Sequence, residues 1–341
     1  MQNQNFEALK AQLATELSAH QCLELIGLLQ KQAHSRLSEI AVQRRTEIVT
    51  GRRKCVHCGH TDIVKHGQDE NKRQRFRCRK SGAVGCGKTY NIMTGTVLAR
   101  MRHPGKWVGY AAEMANHKSI VELSASNLGV SRLTAWRWRQ KLLSVQVSRG
   151  EPPLKGVVEA DETYFLTSYK GSRGWKNGHP PENRRPRYRG GPATKAGLSG
   201  EQVPVVTAID RNGRSIDKVV SGRTEIGGAL VGRIAPGSVL CTDGLAAYKS
   251  LATLCQSEHR RIRAPKKKNY IAKAKGGQPR QAGRLGLGMV NGHHERIKTF
   301  VNRQARGVST RYLPAYLSWL RAIRRPGFTT ADLLTDILIH S

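Results

Sequence analysis

The chain has 341 residues, enough for two or three domains with a sizeable core. Its 58 Lys and Arg against 24 Asp and Glu leave a formal net charge of +34, which points to a polyanionic partner, nucleic acid by default. No apolar run is long enough to span a bilayer, the opening "MQNQNFEALKAQ" lacks the apolar stretch of a secretory signal, and seven cysteines, an odd number, argue against a secreted disulfide framework, so a reducing cytoplasm with no membrane is expected.

Residues 1–50 read as helical. Leu9, Leu13, Leu17, Leu23, Ile26 and Leu29 recur at helical spacing and no Pro or Gly interrupts before Gly27. An amphipathic helical pair with a packing role and no chemistry is expected. Residues 51–93 turn short, basic and rich in Cys and Gly. Cys55 and Cys58 form a close pair, and Cys78 and Cys86 follow as a second. Two pairs at this separation make the four-thiolate pattern that holds tetrahedral Zn2+, and with all four positions filled such a zinc is structural. Gly59 supplies the tight turn after the first pair, and "DIVKHGQDENKRQRFRCR" reads as a two-stranded hairpin, giving a zinc ribbon. The second pair is spaced more widely than usual, so "RKSGAVG" must loop out, and His57 or His60 remain alternative ligands. Cys22, Cys241 and Cys255 read as small core residues.

Residues 105–147 return to helical spacing. In "SIVELSASNLGVSRLTAWRWRQKLL" a first helix carries Val121, Leu123 and Ala125, Gly129 makes the turn, and Ser131 is placed to cap a second helix. Leu133, Trp136 and Leu142 are expected to face inward. This is the punctuation of a helix-turn-helix, whose Arg132, Thr134 and Arg137 would meet a DNA groove. An ordinary helical hairpin is the competing reading. "SRGEPPLKG" then reads as a linker.

Beyond it "GVVEADETYF", "VPVVTAID" and "SIDKVVSG" read as strands, followed by a helical stretch from Thr224 and a strand at "GSVLCTD". A mixed α/β domain over residues 155–326 is expected, with a C-terminal helix over 327–341. Two basic loops interrupt it, one from about 170 to 202 with "NRRPRYRGG" and its Arg189, the other over 264–286. Rich in Gly, Pro, Lys and Arg, they are expected outside the core, ordering on a polyanion, with Arg189 a candidate DNA contact.

Asp161 and Asp243 each end a strand-like run, "GVVEAD" and "SVLCTD". Two carboxylates brought together repel unless a cation lies between them, and short hard oxygen ligands favour Mg2+ or Mn2+. With nucleic acid as the polyanion, the chemistry that uses such a pair is two-metal phosphodiester transfer. A buried Asp capping a turn is the plainer alternative. Farther on, "VNGHHERIK" offers His293, His294 and Glu295 as candidates for a third ligand.

Taken in order, "CVHCGH", "RFRCR", "TGTVLARMRHPGKW", "ADETYF", "RGG", "TDGLAAY", "VNGHHERIK" and "GVSTRYLPAYLSWLRAI" resemble the insertion-sequence DDE-type transposases related to the Merlin transposons, over about residues 50–325. The resemblance implies a multidomain α+β fold: N-terminal helices, zinc ribbon, helix-turn-helix and an RNase H-like mixed α/β catalytic domain. It implies a transposase that binds the ends of its insertion sequence, cuts there, and joins the freed 3′-hydroxyls to target DNA with a divalent metal. Two ends held at once imply at least a dimer, in a bacterial, nucleoid-associated setting. Asp161 and Asp243 match the family's first two metal-binding aspartates. Glu162 belongs to the motif without an assigned role, and strand alternation sends it to the opposite face. The family's third residue stands three after an Asn, which here is Asn291, so the position falls on His294 and not Glu295; family members carry Glu, Asn or His there. Lys298 matches a following Lys and would contact a phosphate. Asn291, His294 and Lys298 share one helix face, whereas Glu295 lies about a hundred degrees round and stays the alternative third ligand. A neutral imidazole in place of an acid would suit Mn2+ better than Mg2+. The rival readings are a catalytically inactive, transposase-derived DNA-binding regulator and a site-unspecific nuclease of the same fold.

Overall fold

The structure, a computed structural model, describes residues 7–8, 11–13, 16–70, 72–99, 104–126, 128–148, 152–170, 199, 201–222, 224–262 and 285–324. The chain divides into two compact units at Val145/Gln146. Both basic loops over most of their length, Arg189 and the expected C-terminal helix lie outside the described residues.

In the first unit, residues 7–8, 11–13 and 16 are helical, and after a break at 17–18 helix α1 (Ala19–Arg52) follows. Ser18 opens it with a capping box, its Oγ accepting from the Gln21 amide, and Arg53 ends it in the left-handed conformation at φ 44°. Gly27 is absorbed in the helix interior, a cost of about 1 kcal/mol that a run of 34 residues outweighs. Leu23, Ile26, Leu28 and Leu29 are exposed; the buried part is the C-terminal end, where Arg45 Nε donates to the Ile92 carbonyl at 3.1 Å and Val49 is covered. Strands β1 (Ile63–Gln68), β2 (Gln74–Cys78) and β3 (Thr89–Asn91) form an antiparallel sheet, so the expected hairpin gains a third strand. Phe76 pairs with Tyr90 across β2 and β3 and their rings stack with centroids 5.6 Å apart.

Three helices follow: α2 (Pro104–Ala115), α3 (Ile120–Ala125) and α4 (Arg132–Ser148). Ser119 and Glu122 make a capping box on α3, Gly129 takes φ +58° in the turn, and Ser131 Oγ accepts from the Thr134 amide at 3.2 Å to start α4. The inward stripe of α4 is Ala135, Trp138, Arg139, Leu142 and Leu143. Tyr110 of α2 sets that phase: its hydroxyl donates to the Ala135 carbonyl and its ring meets Trp138 edge-on at 5.5 Å. Leu133 and Trp136, expected to face inward, therefore point outward, 55% and 38% exposed.

The second unit is built on a five-stranded sheet of β4 (Val157–Leu166), β5 (Gln202–Asp210), β6 (Ser215–Val219), β7 (Val239–Thr242) and β8 (Glu258–Arg261), in the order β6-β5-β4-β7-β8. β5 runs antiparallel to its neighbours β4 and β6, while β7 and β8 run parallel to β4. Asp161 lies within β4 and not at its end, because the alternating "ETYF" continues the strand to Leu166. One face buries Val158, Ala160, Val206, Ala208, Ile216 and Leu240 against Ile226 of α5 (Thr224–Gly228) and Tyr248, Leu251 and Ala252 of α6 (Ala246–Leu254). The other face carries Glu159, Asp161, Thr207 and Asp217 and is covered by α7 (Gly288–Lys298) and α8 (Leu313–Ile323), joined by a π-helical stretch over Thr299–Gln304. Among the described residues no helix is long and apolar enough to cross a membrane.

Candidate functional site

The four ribbon cysteines meet. Gly59, at φ +75°, turns the first knuckle so that its amide bonds back to the Cys55 carbonyl at 2.8 Å. The wide second spacer closes on itself: Ser81 and Val84 exchange backbone hydrogen bonds at 2.9 and 3.0 Å, and Gly85 follows at φ +80°. A Cβ on Gly85 would sit 1.9 Å from the Arg79 carbonyl oxygen, so this return is closed to any other residue. Cys86 is thereby brought back beside Cys55, Sγ to Sγ 3.6 Å, and Cys58 lies 3.7 Å from Cys78. All four sulfurs are within 4.8 Å of one another. A tetrahedron of thiolates at the Zn–S length has edges of about 3.8 Å, so the quartet is sized for such an ion. Burial pushes the Cys55 thiol up to about 11, while the His60 amide draws Cys58 down to about 7. His57 and His60 are not part of the quartet; His60 Nδ1 accepts from the Asp62 amide and the His57 ring stands edge-on to Tyr90.

The second constellation lies on the sheet face under α7. β4 and β7 pair in parallel with Glu159 beside Cys241; Asp161 lies two residues beyond Glu159 in β4, and Asp243 two beyond Cys241, just past the end of β7. Asp243 leaves the sheet in a tight turn: Leu245 N donates to its Oδ1 at 3.0 Å, and Gly244 follows at φ +98°, where the Arg261 side chain leaves no room for a Cβ. Burial pushes the Asp161 carboxyl up to about 6, with the Glu162 and Asp243 carboxylates adding to the rise and Lys298 opposing it. Glu162 itself turns to the other face, where it accepts from the buried Tyr248 hydroxyl at 2.8 Å.

Helix α7 is fixed to this face at two places in its first half. Glu159 Oε2 accepts from the amides of Met289 and Val290 at 2.7 and 3.1 Å, and its Oε1 pairs with Arg211 at 2.7 Å. One turn on, His293 Nε2 lies 3.1 Å from Asp217 Oδ1, which also accepts from Thr207 Oγ1 at 2.8 Å. Asp161, Thr207 and Asp217 are cross-strand neighbours, so the network is one row with the first carboxylate. Burial pushes the Asp217 carboxyl up, but the His293 ring and the Thr207 hydroxyl outweigh it and hold it low. His294 is 5% exposed and its Nε2 has no hydrogen-bond partner among the described residues. Burial, with help from His293 and Lys298, lowers it to about 4 against the pull of Asp217, so at neutral pH it is an uncharged ring with a lone pair to offer. Glu295 is 77% exposed at its side chain and pairs with Lys298 at 3.8 Å. Asp161, Asp243 and His294 do not come within 4.8 Å of one another as a group; among the described residues only the cysteine quartet does.

The sequence profile of the ISXO2-like transposase domain matches residues 153–321, which span β4 through nearly all of α8. This chain carries an insertion-sequence transposase domain. No curated protein matches the chain. Among solved structures, a chain of the simian T-cell lymphotropic virus intasome in complex with the PP2A regulatory subunit B56 gamma aligns at 12% identity and a TM-score of 0.23; the match covers 68% of this chain and 64% of that one. The transposase domain holds Asp161, Asp243, His294, Glu295 and Lys298 together in its matched range. Arg132, Thr134 and Arg137 lie in the first unit on α4, where both arginines are exposed and Thr134 is half-buried. Glu159, Thr207 and Asp217 were given no role by sequence reasoning, and His293, one of the three candidates for a third ligand, pairs instead with Asp217. The available signal was a polar residue inside an apolar strand, as in "VVTAID" and "SIDKVV".

Proposed function

We propose that the protein is a DDE-type transposase that binds the ends of its insertion sequence through the first unit and cleaves and joins DNA at Asp161 and Asp243. One observation carries the reading: Asp161 lies within β4, Asp243 directly follows β7, the strand paired in parallel beside it, and the Asp243 charge is felt at Asp161, all inside the matched transposase domain. Burial first, and the nearby Glu162 and Asp243 carboxylates after it, keep Asp161 protonated to about pH 6, a cost that a divalent cation would relieve. The donor set of two hard carboxylates with a neutral imidazole at hand fits Mg2+ or Mn2+, the imidazole favouring Mn2+. Bound there, the metal would activate the attacking oxygen and stabilise the leaving one. Asp161 and Asp243 would hold it, and the orphaned lone pair of His294 would serve as the third ligand in preference to the exposed Glu295. Lys298, near Asp161, would neutralise a phosphate of the bound strand.

In the first unit we assign structural Zn2+ to Cys55, Cys58, Cys78 and Cys86, and DNA binding to a helix-turn-helix of α3 and α4 with Arg132, Thr134 and Arg137. Arg189 is assigned to DNA on its basic loop alone. Two transposon ends and a target require at least a dimer. The test uses DNA carrying the element's ends with Mg2+ or Mn2+. Asp161→Asn and Asp243→Asn are expected to keep end binding in a mobility shift and to lose both cut and joined products. Cutting by either variant would show the site misassigned. A wild-type protein that binds but never nicks would be the inactive regulator, and one that cuts without joining a nuclease.

A further inference from the structure

Helix α4 presents an unusual outer face. Leu133, Trp136, Arg137 and Gln140 stand at i, i+3, i+4 and i+7, so they form one stripe opposite the buried Ala135, Trp138 and Leu142. Two large apolar side chains on it are 55% and 38% exposed, at the N-terminal end where Ser131 caps the helix and Arg132 flanks them. Solvation gives no reason to place Leu133 there, and the inner stripe is already filled. The outer side of the helix carries Arg132 and Arg137, Arg139 being turned inward, and the helix has no acidic residue. A second copy docking the same face would set these arginines against their own images, which disfavours a self-contact. The charge fits DNA. In the major groove of DNA the apolar feature on the base edges is the 5-methyl group of thymine.

We infer that Leu133 and Trp136 form an apolar reading surface for thymine methyl groups, placed in the major groove by the phosphate contacts of Arg132 and Arg137. This rests on the DNA-binding reading above and specifies what that helix distinguishes. Duplexes that bind the full-length protein are selected from a random-sequence library. The selected duplex is then resynthesised with deoxyuridine for thymidine, one position at a time. Wild-type affinity is expected to fall about fourfold at each contacted thymine, the worth of one buried methyl. Leu133→Ala is expected to weaken binding to the thymine duplex by a similar factor and to lose the difference at that position, while Leu133→Met retains it. Arg137→Ala should weaken thymine and uracil duplexes alike and reduce the salt dependence. Indifference of the wild-type protein to uracil at every position would overturn the inference, as would a well-folded Leu133→Ala that still discriminates. A changed oligomeric state in Leu133→Ala or Trp136→Ala would make the face a protein contact and overturn it too. If the wild-type protein joins ends yet ignores uracil, the transposase reading stands and this inference falls. Failure to select any duplex sinks both.

Discussion

At the scale of single residues, His294 and Glu295 are adjacent in the chain and opposite in environment. His294 is buried with an unpartnered Nε2; Glu295 is solvated, with an i,i+3 pair to Lys298 that is worth a few tenths of a kcal/mol at most. Glu295→Ala is therefore expected to leave strand cleavage within about twofold and stability within about 0.5 kcal/mol. His294→Ala should cost cleavage 100-fold or more, on the order expected for losing a metal ligand or its immediate support. Side-by-side rates in Mn2+ and Mg2+ check this, and equal losses in both variants would contradict it. Asp161 makes a second, independent prediction. Its carboxyl is raised to about 6 in the folded chain, so the native state binds the proton that the unfolded chain has released between about pH 4 and 6. Its contribution favours folding at low pH and is lost as pH rises through 6. Asp161→Asn should then raise the melting temperature of the metal-free protein at pH 7.5, by an amount of order 1 kcal/mol after solvent screening, and hardly at pH 4. Helical phase was enough to put His294 and Glu295 on different faces in the sequence, one buried and one solvated. Thr207 and Asp217 were not legible there, because their nearness to Asp161 is a matter of strand register across β4, β5 and β6.

Secondary-structure elements show the same division between what is local and what is not. Strands β4 to β7 follow from their β-branched runs, and the turn glycines and the Ser131 cap from their residue types, whereas β8, "EHRR", carries no such run and exists by pairing with β7. The phase of α4 does not follow from its own residues. Leu133/Trp136 and Ala135/Trp138 are competing stripes at helical spacing, and contacts from outside the helix, Tyr110 on Ala135 and Trp138 and the Lys118 carbonyl on Arg139, decide between them. Helix α7 is likewise started from outside itself: Leu287 offers no side-chain cap, and β4 supplies one through Glu159. A buried carboxylate paired with Arg211 and bonded to two orphan amides at a helix N-terminus is strongly held. Glu159→Gln keeps the shape and removes the charge, taking the ion pair from Arg211 and leaving the amides with a weaker acceptor. A loss of about 2–3 kcal/mol in urea denaturation, with an unchanged slope, is expected, together with reduced cleavage because His294 and Lys298 ride on this helix. A neutral outcome would mean that α7 is held mainly by Val290 and Ile297 in the apolar core.

For the molecule as a whole, the two units differ in what holds them folded. The sheet unit buries a continuous apolar cluster from Leu154 to Cys255. The ribbon has Phe76, Tyr90, Ile92 and Met93 and little else around its short strands, too small a core for autonomous stability. Its cysteines make up the difference only as thiolates on a metal, where binding energy becomes folding energy. Removal of the ion by a strong chelator should therefore release one Zn2+ per chain and expose the ribbon amides around Phe76 and Tyr90 to hydrogen exchange, while Val158–Ala160 and Val205–Ala208 of the sheet stay protected. Cys58→Ser should do the same without chelator. Because the ligands must be deprotonated, zinc release should become easier as pH falls, and Cys55, the thiol that burial resists ionising, is the ligand most dependent on the ion. DNA binding should be lost with the zinc if the ribbon contributes to it, and kept if α3 and α4 suffice. If exchange in the sheet rises in step with the ribbon, the units unfold as one, and the division at Val145/Gln146 is one of shape and not of stability.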